Sequence, residues 1–266
     1  MSQPLKLLAD QIATHTRYSE HNFDLNADVA AALRLSGSEQ TIDIGCGTGQ
    51  FLRTLREQGH RGDLFGTGIR PEAAAAAAAL DAVHAVHTDA LQLPFPDSMF
   101  DRATAMHLLY YLSDPAAGLA EMHRVTRPGG TIAVTVNHTV TAPRLRALVA
   151  EHAARYGFSP RPASHIWAEN PRTAAPLDVD AAAELICVEF GHATAWRRDD
   201  ALVFPTPDSV LPYADVLARF VCGVGEDSPH RAQILCEVGA EVRSWFARHG
   251  RPWRDPKGYT ILTADT

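Results

Sequence analysis

Residues Asp43 to Gly49, "DIGCGTG", place an acid ahead of three glycines at alternate positions. The run before them, "TIDI", reads as a short strand. The run after them, "QFLRTLREQG", reads as a helix with Phe51, Leu52 and Leu55 on one face and Gly59 as its stop. Glycines at a strand-to-helix turn let the backbone approach a ligand closely, and the helix's first N–H groups point back at that ligand. A dinucleotide fingerprint counted from Gly45 requires glycine at position 50, where Gln50 stands. A phosphate loop requires a lysine and a hydroxyl residue after its glycines, and these are missing too. The acid suits a cationic amine, so the motif fits a ligand with an amino-acid portion better than a diphosphate.

Such a turn needs a sheet to hold it. "LFGTGI" at 64–69 reads as a second strand, and the alanine-rich "EAAAAAAALD" as a helix, since alanine loses no side-chain entropy. "AVHAVHTDAL" supplies a third strand with its tip at Asp89, and "SMFDRATAM" a fourth. Asp114 and Pro115 form an N-cap and first helical residue ahead of "AAGLAEMHRVTR". "PGG" then turns the chain into a fifth strand, "TIAVTV". Strands alternating with helices of this length predict a mostly parallel sheet covered on both faces. Farther on, 144–157 reads as a helix and 158–178, with four prolines, as a long loop or lid. "DAAAELICVEFG" is expected to join a helix to a strand that "HATAWRR" extends, two further helices follow, and "GYTILTA" reads as a final strand.

Composition narrows the function. A chain of 266 residues with 46% hydrophobic and 21% charged residues fits a globular protein with a substantial core. A net charge of -7 with no long basic block argues against DNA or RNA as substrate. Cys46, Cys187, Cys222 and Cys236 are widely spaced in apolar contexts, which is neither a disulfide framework nor a zinc pattern, and all four are expected to be buried thiols. The start lacks a signal-peptide pattern and no apolar run is long enough to span a bilayer, so a cytoplasmic protein without a membrane partner is expected.

With these motifs assembled, the chain resembles the class I S-adenosylmethionine-dependent methyltransferases of the small-molecule type. The resemblance rests on "TIDIGCGTGQFLRTL", "HTDALQLPFPDSMFDRATAMHLLYYLSD" and "LAEMHRVTRPGGTIAVT", and on their spacing. It implies an α/β, Rossmann-like fold with a seven-stranded, mostly parallel sheet whose last strand is antiparallel. It also implies S-adenosyl-L-methionine as cofactor, with Asp43, Gly45, Cys46 and Gly47 around its methionine part. Asp89 is then expected at the adenine amine, with Ala90 and Leu91 beside the ring, and Gly68 and Ile69 at the ribose. Met106 and His107 would line the edge under the sulfonium. The implied organisation is an N-terminal helical cover (1–35), a cofactor-binding core (36–137), a substrate-side insertion or lid with strand six (138–215), and C-terminal helices with the final strand (216–266).

Methyl transfer from a sulfonium needs an aligned nucleophile and, for a hydroxyl or amine acceptor, a group to take its proton. It needs no metal, and the histidines form no compact metal motif. Candidate bases are His15, Tyr18 and His21 ahead of the core, His138 after the fifth strand, and His165 in the proline-rich segment. His138 is preferred because its place after a strand is the best defined, with Tyr18 for closure over the cofactor or substrate. Tyr110 and Tyr111 read either as packing or as substrate contacts. Trp167, Trp196 and Phe204, with Arg197 and Arg198, suggest a partly apolar small-molecule acceptor.

One position departs from the pattern. The resemblance implies an acid at the tip of strand two, accepting both ribose hydroxyls, and this chain has Gly68 there, followed by Ile69 and Arg70. Water or another acid such as Glu72 could replace it, or the site could be widened for an altered ligand. Beside methyl transfer, a non-methylating reaction on this fold and a nucleotide-responsive binding protein therefore stay open.

Overall fold

The computed structural model describes residues 3–21, 23–138, 140–160 and 177–266. Seven strands form one sheet in the order β3-β2-β1-β4-β5-β7-β6. They are β1 (Thr41–Ile44), β2 (Leu64–Gly68), β3 (Val83–His87), β4 (Phe100–Met106), β5 (Thr126–Val136), β6 (Thr194–Phe204) and β7 (Trp253–Asp265). β3, β2, β1, β4 and β5 run parallel, and β7 pairs antiparallel with β5, from Thr131 opposite Asp265 to Val136 opposite Thr260. This is the implied Rossmann-like α/β arrangement.

Nine helices are described: α1 (Gln3–Tyr18), α2 (Leu25–Ala32), α3 (Gln50–Glu57), α4 (Pro71–Ala78), α5 (Pro115–Val125), α6 (Pro143–Ala154), α7 (Val179–Phe190), α8 (Pro207–Cys222) and α9 (Arg231–His249). Their local causes are readable. α3 buries Phe51, Leu52 and Leu55, and Gly59 follows it at φ +87°. Asp114 caps α5 by accepting the Ala117 N–H, with Pro115 at the first turn.

Three expectations need correction. "ICVEF" is not a strand but the second half of α7, which ends at left-handed Gly191. Ala182 and Ile186, four residues apart, form its buried row, a helical spacing that outweighs the β-branched content. β5 begins at Thr126, so "PGG" lies within the strand, where the pairing with β4 shifts between Phe100 and Arg102. Cys187 and Cys236 are exposed rather than buried, and all four thiols are free.

The chain divides into two compact units. Phe23–His138, Arg172–Arg198 and Tyr259–Thr266 form one, with apolar cores on the two faces of its strands around Ile42, Phe100 and Ile132 and around Phe51, Leu52 and Leu64. The other comprises Met1–Asn22, Thr139–Pro171 and Asp199–Gly258, and its core gathers Leu145, Phe204, Tyr213 and Val238. Among the described residues no helix is long and apolar enough to cross a membrane.

Candidate functional site

Because β3, β2, β1, β4 and β5 are parallel neighbours, their carboxyl ends open on one edge of the sheet. The strand order reverses between β1 and β4, with β2 and β3 on one side and β5 on the other, which is where a ligand crevice forms in such sheets. That edge collects the glycine loop after β1, Gly68 and Ile69 at the end of β2, Asp89 to Leu91 after β3, Met106 and His107 at the end of β4, and His138 after β5. Tyr18 belongs to the other compact unit, where its ring packs 5.0 Å from Phe204.

Asp43 lies in mid-sheet, opposite Gly66 on β2 and Thr104 on β4. It is 1% exposed, and neither carboxylate oxygen has a hydrogen-bond partner. Burial pushes its carboxyl up to about 8. A buried carboxylate with nothing to pair with is costly, so the site calls for a donor, and a cationic amine would supply one.

The loop beside it is fixed by its neighbours. The Cys46 N–H donates to the Thr67 carbonyl at 2.8 Å, and the Gly45 N–H to Thr67 Oγ1 at 3.4 Å. Gly45, Gly47 and Gly49 all have positive φ, and a Cβ on Gly45 would sit 2.9 Å from Leu108 Cδ1. Gly66 is equally constrained, since its Cβ would meet Cys46 Sγ at 2.7 Å. Burial, together with the nearby Asp43 charge, pushes the Cys46 thiol upward, so this cysteine packs rather than reacts.

Asp89 is exposed, with Oδ1 accepting the Leu91 N–H at 3.0 Å, which turns the chain so that Leu91 packs toward the core. Ile69 is 59% exposed, an apolar surface at the tip of β2. Gly68 accepts the Thr88 N–H at 3.1 Å through its carbonyl, and His87 contacts the Ile69 carbonyl at 2.9 Å. Met106 is half-buried against the core. His107 has a left-handed backbone, φ +52°, its N–H donates to Thr135 O at 2.9 Å, and its Nδ1 is buried without a partner. Burial holds that imidazole down at about 4, so it is neutral near pH 7. Tyr110 and Tyr111 pack edge to face at 4.5 Å, and burial pushes the Tyr110 hydroxyl upward.

His138 is half-buried with Nδ1 3.1 Å from Thr260 Oγ1. Among the other candidates, His15 Nε2 lies 3.2 Å from the hydroxyl of Tyr213, and His21 pairs with Asp200 at 3.2 Å. His165 and Trp167 lie outside the described residues. Phe204 is fully buried, and Arg198 forms two hydrogen bonds to Asp28 while lying over Trp196 at 4.2 Å, so both serve packing. The described residues hold one cluster with metal-ligand geometry, Glu20, His21 and Asp200. Its carboxylates already pair with Arg254 at 2.7 Å and Lys257 at 3.1 Å, as an ion-pair network does. Cavities of about 270 and 400 Å³ occur elsewhere, and neither is lined by Asp43, Gly68 or His107.

Sequence reading missed Thr67, Gly66 and Leu108 as the supports of the loop. A signal existed for the first two, because consecutive strands of such a sheet usually lie side by side, which puts 66–67 beside the loop's own strand.

Comparison with known proteins meets this geometry. Residues 42–134 match a family model described as a methyltransferase domain. A malonyl-[acyl-carrier protein] O-methyltransferase of Serratia marcescens is 39% identical over 113 residues, covering 41% of this chain and 44% of that protein. A demethylmenaquinone methyltransferase of Geobacillus kaustophilus is 34% identical over 110 residues, covering 39% and 47%. The chain thus spans about half the length of the curated relatives it matches. A solved structure of a methyltransferase candidate from an antibiotic biosynthesis pathway of Anabaena variabilis superposes with a TM-score of 0.62 at 15% identity, covering 91% of this chain and 96% of that one. In sequence over residues 42–134, and in fold, this protein resembles the class I S-adenosylmethionine-dependent methyltransferases.

Proposed function

We propose that this protein transfers a methyl group from S-adenosyl-L-methionine to a small organic acceptor by in-line displacement. The buried, unpartnered carboxylate of Asp43 beside the glycine loop carries this reading. In it, Asp43 receives the cofactor's amine, and Gly45, Cys46 and Gly47 leave backbone room for the methionine chain. Asp89 takes the adenine amine, with Ala90 and Leu91 as apolar cover, while Gly68 and Ile69 meet the ribose and Met106 and His107 face the sulfonium. The cofactor supplies an activated methyl group on an excellent leaving group. The protein aligns the acceptor and removes its proton, for which His138 is the proposed residue.

The relatives' names, a malonyl-[acyl-carrier protein] O-methyltransferase and a demethylmenaquinone methyltransferase, support small or partly apolar acceptors over nucleic acid. Calorimetric titration with S-adenosylmethionine and S-adenosylhomocysteine tests the proposal. Saturable one-to-one binding of both is expected, and no heat from either at millimolar concentration overturns it.

A further inference from the structure

Gly68 is not required by the fold. Glycine is needed where the backbone is left-handed or where a Cβ would collide. Gly68 has no positive φ, and a Cβ built on it meets nothing within 4 Å. Gly66, two residues earlier on β2, shows the contrast, because its Cβ would strike Cys46 Sγ at 2.7 Å. The backbone at Gly68 is nevertheless held, through its pairing with His87 and its carbonyl bond from Thr88 N–H. The missing side chain therefore leaves open volume on a fixed strand tip, at the edge where the glycine loop and Asp89 also stand. The nearest acid in sequence, Glu72, begins α4 and pairs with Arg70 at 3.3 Å.

Resting on the proposed cofactor reading, we infer that Gly68 makes the ribose edge of the site permissive: it binds adenosyl ligands without a carboxylate on the 2′ and 3′ hydroxyls and admits ligands substituted there. A carboxylate at this place would grip the diol by charge-assisted hydrogen bonds and exclude anything larger. Gly68 gives up that grip and gains the space.

Calorimetry with three probes tests this: S-adenosylhomocysteine, its 2′-deoxy analogue and its 2′-O-methyl analogue. The wild-type protein is expected to bind both analogues within about fivefold of the parent, because no charge-assisted bond is lost. In Gly68→Asp the parent binds tighter and both analogues fall about tenfold or more behind it. The open Cβ position lets this variant fold, which its melting temperature checks, and Gly68→Asn, with a neutral acceptor, gives an intermediate ratio. A wild-type loss beyond about fivefold with either analogue overturns the inference, since another group then holds the diol. So does a Gly68→Asp protein that binds the parent but keeps wild-type ratios. Failure of wild-type protein to bind S-adenosylhomocysteine at all overturns the underlying cofactor reading, and this inference with it.

Discussion

Replacing Asp43 with asparagine keeps the side chain's shape and removes its charge. In the ligand-free protein the carboxyl is pushed to about 8 by burial, against an ordinary value near 4. A folded-state value above the unfolded one means the stability is complete below about pH 4 and is lost as pH rises through about 8. The gap of about 4 units corresponds to a penalty on the order of 5 kcal/mol above pH 8, at about 1.36 kcal/mol per unit. Asparagine removes that penalty and leaves a buried amide with unmet bonds, at roughly 1–3 kcal/mol. The net gain of about 3 kcal/mol raises the melting temperature by roughly 6–12 °C in a chain of this size. At pH 4 the acid is neutral too, so the gain disappears and the asparagine protein should melt no higher than wild type. The same substitution removes the partner for a cationic amine, so S-adenosylhomocysteine affinity should fall about tenfold or more. Differential scanning fluorimetry from pH 4 to pH 9, with and without S-adenosylhomocysteine, reads both effects. Identical melting curves at every pH would refute the buried, unpaired state of Asp43. An Asp43→Asn protein that binds as tightly as wild type would refute its role toward the ligand.

Gly66→Ala should cost about 1–3 kcal/mol by overpacking Cys46 Sγ, and Cys46→Ala combined with it should recover most of that loss in a denaturant-melt double-mutant cycle. Burial alone would raise the Asp28 carboxyl, but hydrogen bonds from Arg198 and Tyr259 outweigh it and hold the group below its ordinary value. Its stabilisation is therefore present above the ordinary carboxylate value, near 4, and lost as pH falls through the lowered one, so Asp28→Ala should lower the melting temperature at pH 7 by more than it does in acid below that range. In native protein a thiol reagent should modify Cys187 and Cys236 quickly, and Cys46 and Cys222 only on unfolding, as peptide mapping would show.

Much of the sheet could be read from the chain because each strand pairs an apolar run with a turn signal, as "TIDI" does with its glycines. The Asp114–Pro115 helix start is legible for the same local reason. "ICVEF" misleads because strand-type residues there follow a helical burial row, set by Ala182 and Ile186 and closed by Gly191. Cys187 is exposed for a related reason, since it is one position beyond Ile186 and so turns about a quarter of the way round the helix. The roles of glycines are the least legible. Gly66 and Gly68 look alike in "LFGTG", yet one is fixed by the sulfur behind it and the other faces open space. Only the packing of β2 against the glycine loop separates them.

The most direct measurement is a crystal structure of the protein with S-adenosylhomocysteine. The amine of the ligand is expected within hydrogen-bond reach of the Asp43 carboxylate, the adenine amine at Asp89, and the ribose beside Gly68 without a protein carboxylate on its hydroxyls. Density for the ligand away from the carboxyl ends of β1 to β4, with Asp43 still unpartnered, would contradict the proposed site.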